Sequence, residues 1–203
     1  MNTMELLKAF DKLLKEEKDI KEVVDDYNDK KNIMIEAIKR SEKADMIAYA
    51  ASDLRADKDV MMEAVKKNGD NIAYAAEELF SDKELILEAV KGNGYNLKYA
   101  SDELKDDKYF VLEAIRIDGY AFVCVSDRLK KDKQLILESI KQIDDFTWYN
   151  PLDYVPSYLK EDKQFMIDII MSNLLAYEIV PPKFYYDYDI KRFEGLYLKR
   201  KNM

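Results

Sequence analysis

The chain has 203 residues, of which 48% are hydrophobic and 36% charged, so it can bury a core and does not have a disordered composition. Its formal net charge of -8 disfavours a broad basic groove for duplex DNA, and direct binding of nucleic acid is not expected. The absence of histidine removes the commonest general base and the catalytic triads that contain it.

The N-terminal segment is strongly charged. A charged residue recurs every few positions through residues 1–30, so the apolar core of a signal peptide is not visible. No uncharged stretch approaches the ~18 residues of a membrane span. The single cysteine, Cys124, allows no internal disulfide and fits a reducing compartment. We therefore expect a cytoplasmic protein of a bacterium, of a phage, or of a host cell that receives it.

A short pattern recurs from residue 57 onward. The pair Asp-Lys stands at 57–58, 82–83, 107–108, 132–133 and 162–163, at steps of 25, 25, 25 and 30 residues. An acidic residue follows each lysine by five positions, and a leucine keeps the same phase at 54, 79, 104, 129 and 159. Self-similarity at a fixed period indicates a repeat protein, in which each unit buries its apolar face against its neighbours.

Each repeat is predicted to be a pair of helices. In the repeat that starts at residue 82, Asp82 is a suitable N-cap because its carboxylate accepts hydrogen bonds from free backbone N–H groups. Apolar residues at 85–87, 89 and 90 cover a wide arc of the first helix, which indicates contact with more than one neighbour.

The end of the first helix is marked by glycine. Gly94 is expected to close the helix in a left-handed conformation, as are Gly69 and Gly119 in their repeats. Asn96 is then expected to cap a second helix, whose narrow apolar stripe lies at 97, 100, 101 and 104.

The repeats together predict the architecture. The expected fold is all-α, a right-handed α-solenoid of short helical hairpins with capping helices at both ends. A single domain would span residues 1–203. It would comprise an N-terminal cap at 1–30, six two-helix repeats at 31–186 and a C-terminal capping helix at 187–203.

The pattern Asp-Lys…Glu-Ala-Val-Lys…Asn-Gly…Tyr-Ala-Ser…Glu-Leu of residues 82–104 resembles a bacterial and viral repeat family known as domain of unknown function 4116. The variant YVPSYL at residues 154–159 is similar to a Val-Pro form of that family. The resemblance implies an all-helical repeat fold. It implies no activity, because the family has none assigned, and it therefore indicates no catalytic residue.

A column of tyrosines recurs with the repeat. Tyr49, Tyr74, Tyr99 and Tyr154 occupy one position of successive units, and Cys124 fills the same slot. The column is either a ladder on a binding face or packing between repeats with the hydroxyls reaching solvent, because tyrosine suits both places.

Two further segments interrupt the repeat. The turn at residues 144–151 adds five residues and contains Phe146, Trp148 and Tyr149; it is either a binding loop or a plug in the stack. The C-terminal end is rich in aromatic residues, including Tyr185, Tyr186 and Tyr188, and finishes with the cationic residues 199–201. It is either a docking patch, a platform for single-stranded nucleic acid, or a larger core.

No motif assembles a catalytic, metal or cofactor site. A Walker A loop and a dinucleotide fingerprint are absent, and Asp187-Tyr188-Asp189 lacks the rest of a calcium loop. We therefore expect no cofactor, no metal and no enzyme activity. A hydrolase that uses two facing carboxylates is a remote alternative.

The expected function is that of a non-catalytic protein-binding repeat module. It would engage a partner through the Trp148 loop and the aromatic C-terminal end, with its acidic helices attracting a basic surface. The alternative is an acidic phage-type inhibitor of a nucleic-acid-handling bacterial defence enzyme, similar to anti-CRISPR or anti-restriction proteins. The candidate contact residues are Phe146, Trp148, Tyr149, Tyr185, Tyr186, Tyr188, Tyr74 and Tyr99. The sequence leaves the oligomeric state open.

Overall fold

The computed structural model describes residues 27–144 and 149–201, and within these ranges the chain forms α-helices and 3-10 helices and no β-strand. The all-helical prediction is therefore confirmed. The chain divides into two compact units, Met1–Ser101 and Asp102–Met203. That the repeats form one continuous domain stays a prediction.

The helices are short in both units. In the first unit the α-helices are α1 (Tyr27–Arg40), α2 (Ser52–Arg55), α3 (Lys58–Lys67) and α4 (Lys83–Gly92), and 3-10 helices span Met46–Tyr49, Gly69–Tyr74, Glu77–Ser81 and Gly94–Tyr99. In the second unit the α-helices are α5 (Asp102–Lys105), α6 (Lys108–Ile117), α7 (Lys133–Lys141), α8 (Ser157–Lys160), α9 (Lys163–Ser172), α10 (Tyr188–Lys191) and α11 (Glu194–Lys201). Its 3-10 helices span Gly119–Cys124, Leu129–Lys131, Pro151–Tyr154, Leu174–Ile179 and Pro182–Phe184.

The first helix of each repeat is built as the sequence predicts. Asp82 caps α4, with its carboxylate accepting a hydrogen bond from the Leu85 N–H at 3.0 Å. The side chains of Leu85, Ile86, Ala89 and Val90 are fully buried. Helix α3 packs against both α1 and α4, and α7 packs against both α6 and α9, so the wide apolar arc has a neighbour on each side.

The second half of each repeat differs from the prediction of one continuous helix. After Leu97 the backbone turns extended at Ala100, with φ -60° and ψ 149°, and a separate helix, α5, begins at Asp102. The break has a physical reason, because the N–H that follows it bonds to the preceding repeat. Ser101 donates to the Phe80 carbonyl at 2.9 Å, and Ala76 donates to the Arg55 carbonyl at 3.0 Å.

The glycines act through close approach and not through a left-handed conformation. Helix α4 ends at Asn93, whose φ of -168° is extended, and Gly94 begins the following 3-10 helix. Neither Gly69 nor Gly119 has a positive φ, so the left-handed prediction is wrong for both. A Cβ on Gly69 would lie 2.5 Å from the Ala89 carbonyl oxygen, so this site excludes a side chain.

The predicted role of Asn96 is also wrong. Asn93 caps the 3-10 helix by accepting from the Tyr95 N–H at 3.1 Å. Asn96 is instead buried, and its amide donates to the Ala89 carbonyl at 3.1 Å and to the Asp70 carboxylate at 3.0 Å. The side chain therefore links two repeats instead of capping its own helix.

The Asp-Lys pair is an electrostatic link between successive repeats. Lys58 reaches forward to Asp82 at 2.9 Å and to Glu84 at 2.8 Å. The same forward contact joins Lys31 to Asp57 and Asp59, Lys108 to Asp132, Lys133 to Asp162, and Lys163 to Asp187 and Asp189. We call this series the Asp-Lys ladder. Five aspartates in it cap their own helices and also accept the lysine of the preceding repeat: Asp57, Asp82, Asp132, Asp162 and Asp187.

The ladder makes the stability of the first unit depend on pH. Burial alone would raise the pKa of Asp82, but hydrogen bonds from Lys58 and from the Leu85 N–H outweigh it and hold this pKa below its ordinary value. A depressed folded-state pKa contributes stability above the unfolded value of about 4, and that contribution is lost as the pH falls further.

We predict that Asp82→Ser keeps the N-cap but makes the free energy of unfolding less dependent on pH in the acid range. Serine caps helices about as well as aspartate but has no charge to lose. The free energy of unfolding, measured by urea denaturation from pH 6 to pH 2.5, should fall less steeply in this variant than in the wild type. The exposed Glu78→Gln is the control, and an equal change of slope in the two variants would contradict the ladder as the cause.

Candidate functional site

The ladder ends at the C-terminal end of the chain. Asp187 caps the short helix α10 by accepting from the Asp189 N–H at 3.0 Å, and it accepts Lys163 of the preceding repeat at 2.9 Å. The next position, which is lysine in the other repeats, is Tyr188. Asp187 therefore accepts the lysine of the preceding repeat, but residue 188 is not a lysine that could make the next contact of the ladder.

Helix α11 is fastened to the 3-10 helix Leu174–Ile179 by an aromatic and ionic contact. The rings of Tyr177 and Tyr197 stack with their centroids 5.3 Å apart. The Tyr197 hydroxyl donates to the Glu178 carboxylate and accepts from Lys201 at 2.8 Å. Burial, together with the negative charge of Glu178, raises the pKa of Tyr197, so the hydroxyl stays protonated near neutrality.

A cleft opens beside this contact. Its volume is about 350 Å³, and it is lined by Tyr177, Glu178, Tyr185, Tyr186, Lys191, Glu194 and Tyr197. Burial and the nearby Glu194 carboxylate raise the pKa of Tyr177. Tyrosine rings thus form much of the wall of the cleft, and the Lys191 ammonium lies 5.9 Å from the centre of the Tyr186 ring.

Large apolar side chains are exposed in residues 185–198, the segment that supplies most of the lining of the cleft. Tyr186 and Tyr188 are 88% and 87% exposed, and Leu196 and Leu198 are about half exposed. Four exposed cations lie among them, and none forms an ion pair with another described residue: Lys191, Arg192, Lys199 and Arg200. We call this set, together with Tyr185, the C-terminal surface.

The charge of this end is opposite to that of the rest of the chain. Residues 182–203 contain six lysines and arginines and three acidic residues, a net charge of +3, and the other 181 residues therefore carry -11. Two of the acidic residues, Asp187 and Asp189, are already paired with Lys163. Lys183 and Lys201 are likewise paired, with Glu161 and Glu178. The segment is left with the four cations of the C-terminal surface and one acidic residue, Glu194, so its field is basic.

The tyrosine column lies along the seams of the repeats. Tyr74 and Tyr99 are each half-buried, and the Tyr99 ring packs 5.9 Å from the ring of Phe80 in the preceding repeat. Lys98 lies over the outer face of Tyr99 at 4.8 Å. The structure thus brings the Tyr99 ring into packing between repeats of the first unit.

The inserted turn is described only in part. Phe146 and Trp148 lie outside the described residues, so their assignment as contact residues stays a prediction. Tyr149 is buried, and its ring lies 4.7 Å from that of Tyr120 and 6.1 Å from that of Tyr154. Tyr149 therefore contributes to an aromatic cluster inside the second unit.

The sequence analysis identified the three exposed tyrosines of this end but missed the residues around them. Tyr177, Tyr197 and Lys191 were not selected, because the contact that gathers them joins a 3-10 helix to α11 across some twenty residues. The sequence does contain a signal for the charge, because residues 182–203 carry a net positive charge and residues 1–181 a net negative one.

Other kinds of site are not found in the described ranges. Residues 27–144 and 149–201 contain no group of three or more cysteine, aspartate or glutamate side chains placed to hold a metal ion. In the same ranges no helix has the length and apolar character needed to cross a bilayer.

Comparison with protein families gives one match. The model of the family described as "Domain of unknown function (DUF4116)" matches residues 30–80, 82–123 and 107–145, adjacent segments that cover more than half of the chain. The overlapping matches follow the repeat. No significant match was found among curated proteins or among solved structures.

Proposed function

This chain belongs to the DUF4116 family, a domain of unknown function, and we propose that it is a non-catalytic module that binds a partner protein. The binding site is the C-terminal surface, together with the loop that contains Trp148. The observation that carries the proposal is the exposure of Tyr186 and Tyr188 on a segment that is itself firmly anchored.

Anchored, exposed aromatic rings are suited to recognition. Tyrosine supplies a large contact area with little conformational entropy to lose, and it is among the residues that contribute most to protein interfaces. The segment that carries Tyr186 and Tyr188 is held by the Lys163 contacts to Asp187 and Asp189 and by the stacking of Tyr177 on Tyr197. The rings are thus presented by a backbone that is already ordered.

The repeats form the scaffold of the module. We propose that they build a right-handed α-solenoid with capping units at both ends, in which the Asp-Lys ladder fixes the spacing of the units. The recurring burial of the first helix and the recurring forward reach of the lysine support this arrangement within each unit. The exposed Tyr186, Tyr188 and Leu196 form apolar area of the kind that marks protein interaction sites, which supports burial by a partner.

The inhibitor alternative receives less support from the structure. A mimic of nucleic acid needs a run of free carboxylates, whereas the recurring aspartates of the ladder cap helices and pair with lysines. A hydrolase needs two available carboxylates that converge on a pocket, and of the two in the cleft beside Tyr177, Glu178 and Glu194, Glu178 is already engaged by Tyr197 and Lys201. We therefore favour binding over both alternatives.

We predict that Tyr186→Ala/Tyr188→Ala abolishes partner capture and leaves the fold intact. Both rings are almost fully exposed, so their loss should change the melting transition by only a degree or two. Quantitative affinity capture from the native host, with mass spectrometry, should find proteins retained by the wild type and depleted about tenfold or more by the variant.

The matched control is Tyr109→Ala/Tyr158→Ala, which removes two exposed tyrosines from helices α6 and α8 of the same unit. This control should retain the same proteins as the wild type. Equal retention by all three proteins would show that the C-terminal tyrosines do not form the binding site.

A further inference from the structure

We propose that the C-terminal surface recognises an acidic segment of the partner protein that also carries apolar side chains. This inference rests on the proposed protein-binding function and specifies its chemistry. The net charge of the whole chain is negative and would favour a basic partner. The C-terminal surface instead favours an acidic one.

Charge complementarity is the first argument. The cations Lys191, Arg192, Lys199 and Arg200 are exposed and form no ion pair within residues 27–144 and 149–201. The segment that contains them carries +3, while the remainder of the chain carries -11. An acidic segment would be attracted to this end and repelled elsewhere, so the charge distribution selects the site as well as the partner.

The position of Lys191 argues against a basic partner. Its ammonium lies 5.9 Å from the centre of the Tyr186 ring, so a cation already occupies the neighbourhood of that aromatic face. A lysine or arginine from a partner would meet this charge at the cleft. The cleft also contains Glu178, which Tyr197 and Lys201 already engage, and Glu194. A carboxylate placed beside Lys191 would pair with its ammonium, in competition with Glu194 alone.

Leu196 of α11 favours a protein over single-stranded nucleic acid. Bases stack on aromatic rings and phosphates pair with cations, and Tyr186, Tyr188 and Arg192 would serve for both. Leu196, however, is about half exposed and shares a helix face with Lys199 and Arg200, and an aliphatic side chain offers nothing to stack a base on. An apolar side chain of a protein segment would bury Leu196 and gain the hydrophobic contribution.

The test uses a fluorescein-labelled dodecapeptide in which glutamates alternate with leucine and phenylalanine. A second peptide replaces each glutamate by glutamine and keeps the apolar residues. Fluorescence anisotropy with the full chain at 50 mM salt should show the acidic peptide bound at least tenfold more tightly than its glutamine counterpart. Equal affinity for the two peptides would overturn the acidic preference.

Two protein variants locate the binding. Lys199→Glu/Arg200→Glu reverses two exposed charges of the C-terminal surface and should weaken the acidic peptide about tenfold or more. Lys131→Glu/Lys160→Glu makes the same change of charge elsewhere in the second unit and should weaken it less than threefold. Equal weakening by both variants would show attraction to the net charge alone and would contradict a specific site.

Other occupants of the surface give different outcomes. Displacement of the acidic peptide by the oligonucleotide dT12 at a lower concentration than by unlabelled peptide would assign the surface to nucleic acid and overturn the inference. A dimer in sedimentation that Lys199→Glu/Arg200→Glu dissolves would assign it to a second copy of the chain, with the same consequence. The two proposals can fail separately. If the acidic and glutamine peptides bind with equal affinity while Tyr186→Ala/Tyr188→Ala still loses its captured proteins, the preference for an acidic partner is refuted and the protein-binding function is retained.

Discussion

Replacing Gly119 by alanine is expected to lower the free energy of unfolding by about 1–3 kcal/mol. A Cβ at this position would lie 2.6 Å from the Ser139 carbonyl oxygen and 3.0 Å from the Cβ of Gln142. The carbonyl belongs to the backbone of α7, so the clash can be relieved only by moving one repeat away from the next. Urea denaturation monitored by circular dichroism measures the effect.

Gly195→Ala is the matched control in the same unit. No atom lies within 4 Å of the position that its Cβ would take, and the residue is within helix α11. Alanine there should stabilise the protein slightly, by up to about 1 kcal/mol, because it reduces the freedom of the unfolded chain. A similar effect of the two substitutions would show that close approach between repeats is not what requires glycine at residue 119.

Asn71→Ala is expected to cost about 1–3 kcal/mol of unfolding free energy, since it removes a buried side chain that donates two hydrogen bonds. The Asn71 amide donates to the Ala44 carbonyl at 2.7 Å and to the Ala64 carbonyl at 2.8 Å, and the side chain is buried. The bond to Ala44 joins consecutive repeats of the first unit, as the bond from Asn96 to Asp70 also does, and the bond to Ala64 lies within the repeat.

Asn32→Ala provides the comparison. Asn32 is exposed on helix α1, and its replacement by a better helix former should change stability by less than about 0.5 kcal/mol. Thermal melts and urea titrations of both variants decide the matter. A loss below 1 kcal/mol for Asn71→Ala would mean that water or a local shift satisfies the two carbonyls, and the asparagine would then not hold the repeats together.

The sequence analysis succeeded where the signal is local. The period of 25 residues is visible as a recurring pattern. The Asp82 cap and the apolar arc of α4 follow from the chemistry of a single helix, and the structure contains both. These features are encoded by residues close together in the chain, so pattern and propensity decide them.

It failed where the reason lies in the neighbouring repeat. Gly119 could be recognised as a special position, but a carbonyl that approaches from α7 cannot be read from the residues beside it. The break at Ala100 has the same origin, since the N–H that follows it bonds to the Phe80 carbonyl. Asn96 was assigned to its own helix because its partner Asp70 stands 26 residues earlier.

The candidate site shows the same division. Tyr186 and Tyr188 were selected from the sequence because aromatic residues are concentrated near the C-terminal end. Tyr197 was not, because its importance depends on stacking against Tyr177 and on the bond to Glu178, which exist only in the folded chain. Exposure, which distinguishes Tyr186 from Tyr149, likewise becomes visible only in the fold.

The central claim is that the C-terminal surface, and not the faces of the repeats, receives the partner. Hydrogen–deuterium exchange of the chain with and without its captured partner tests this most directly. We predict that binding slows exchange in residues 184–201 and leaves helices α3, α4 and α6 unchanged. Slower exchange along those helices, with residues 184–201 unaffected, would contradict the claim and assign recognition to the repeats.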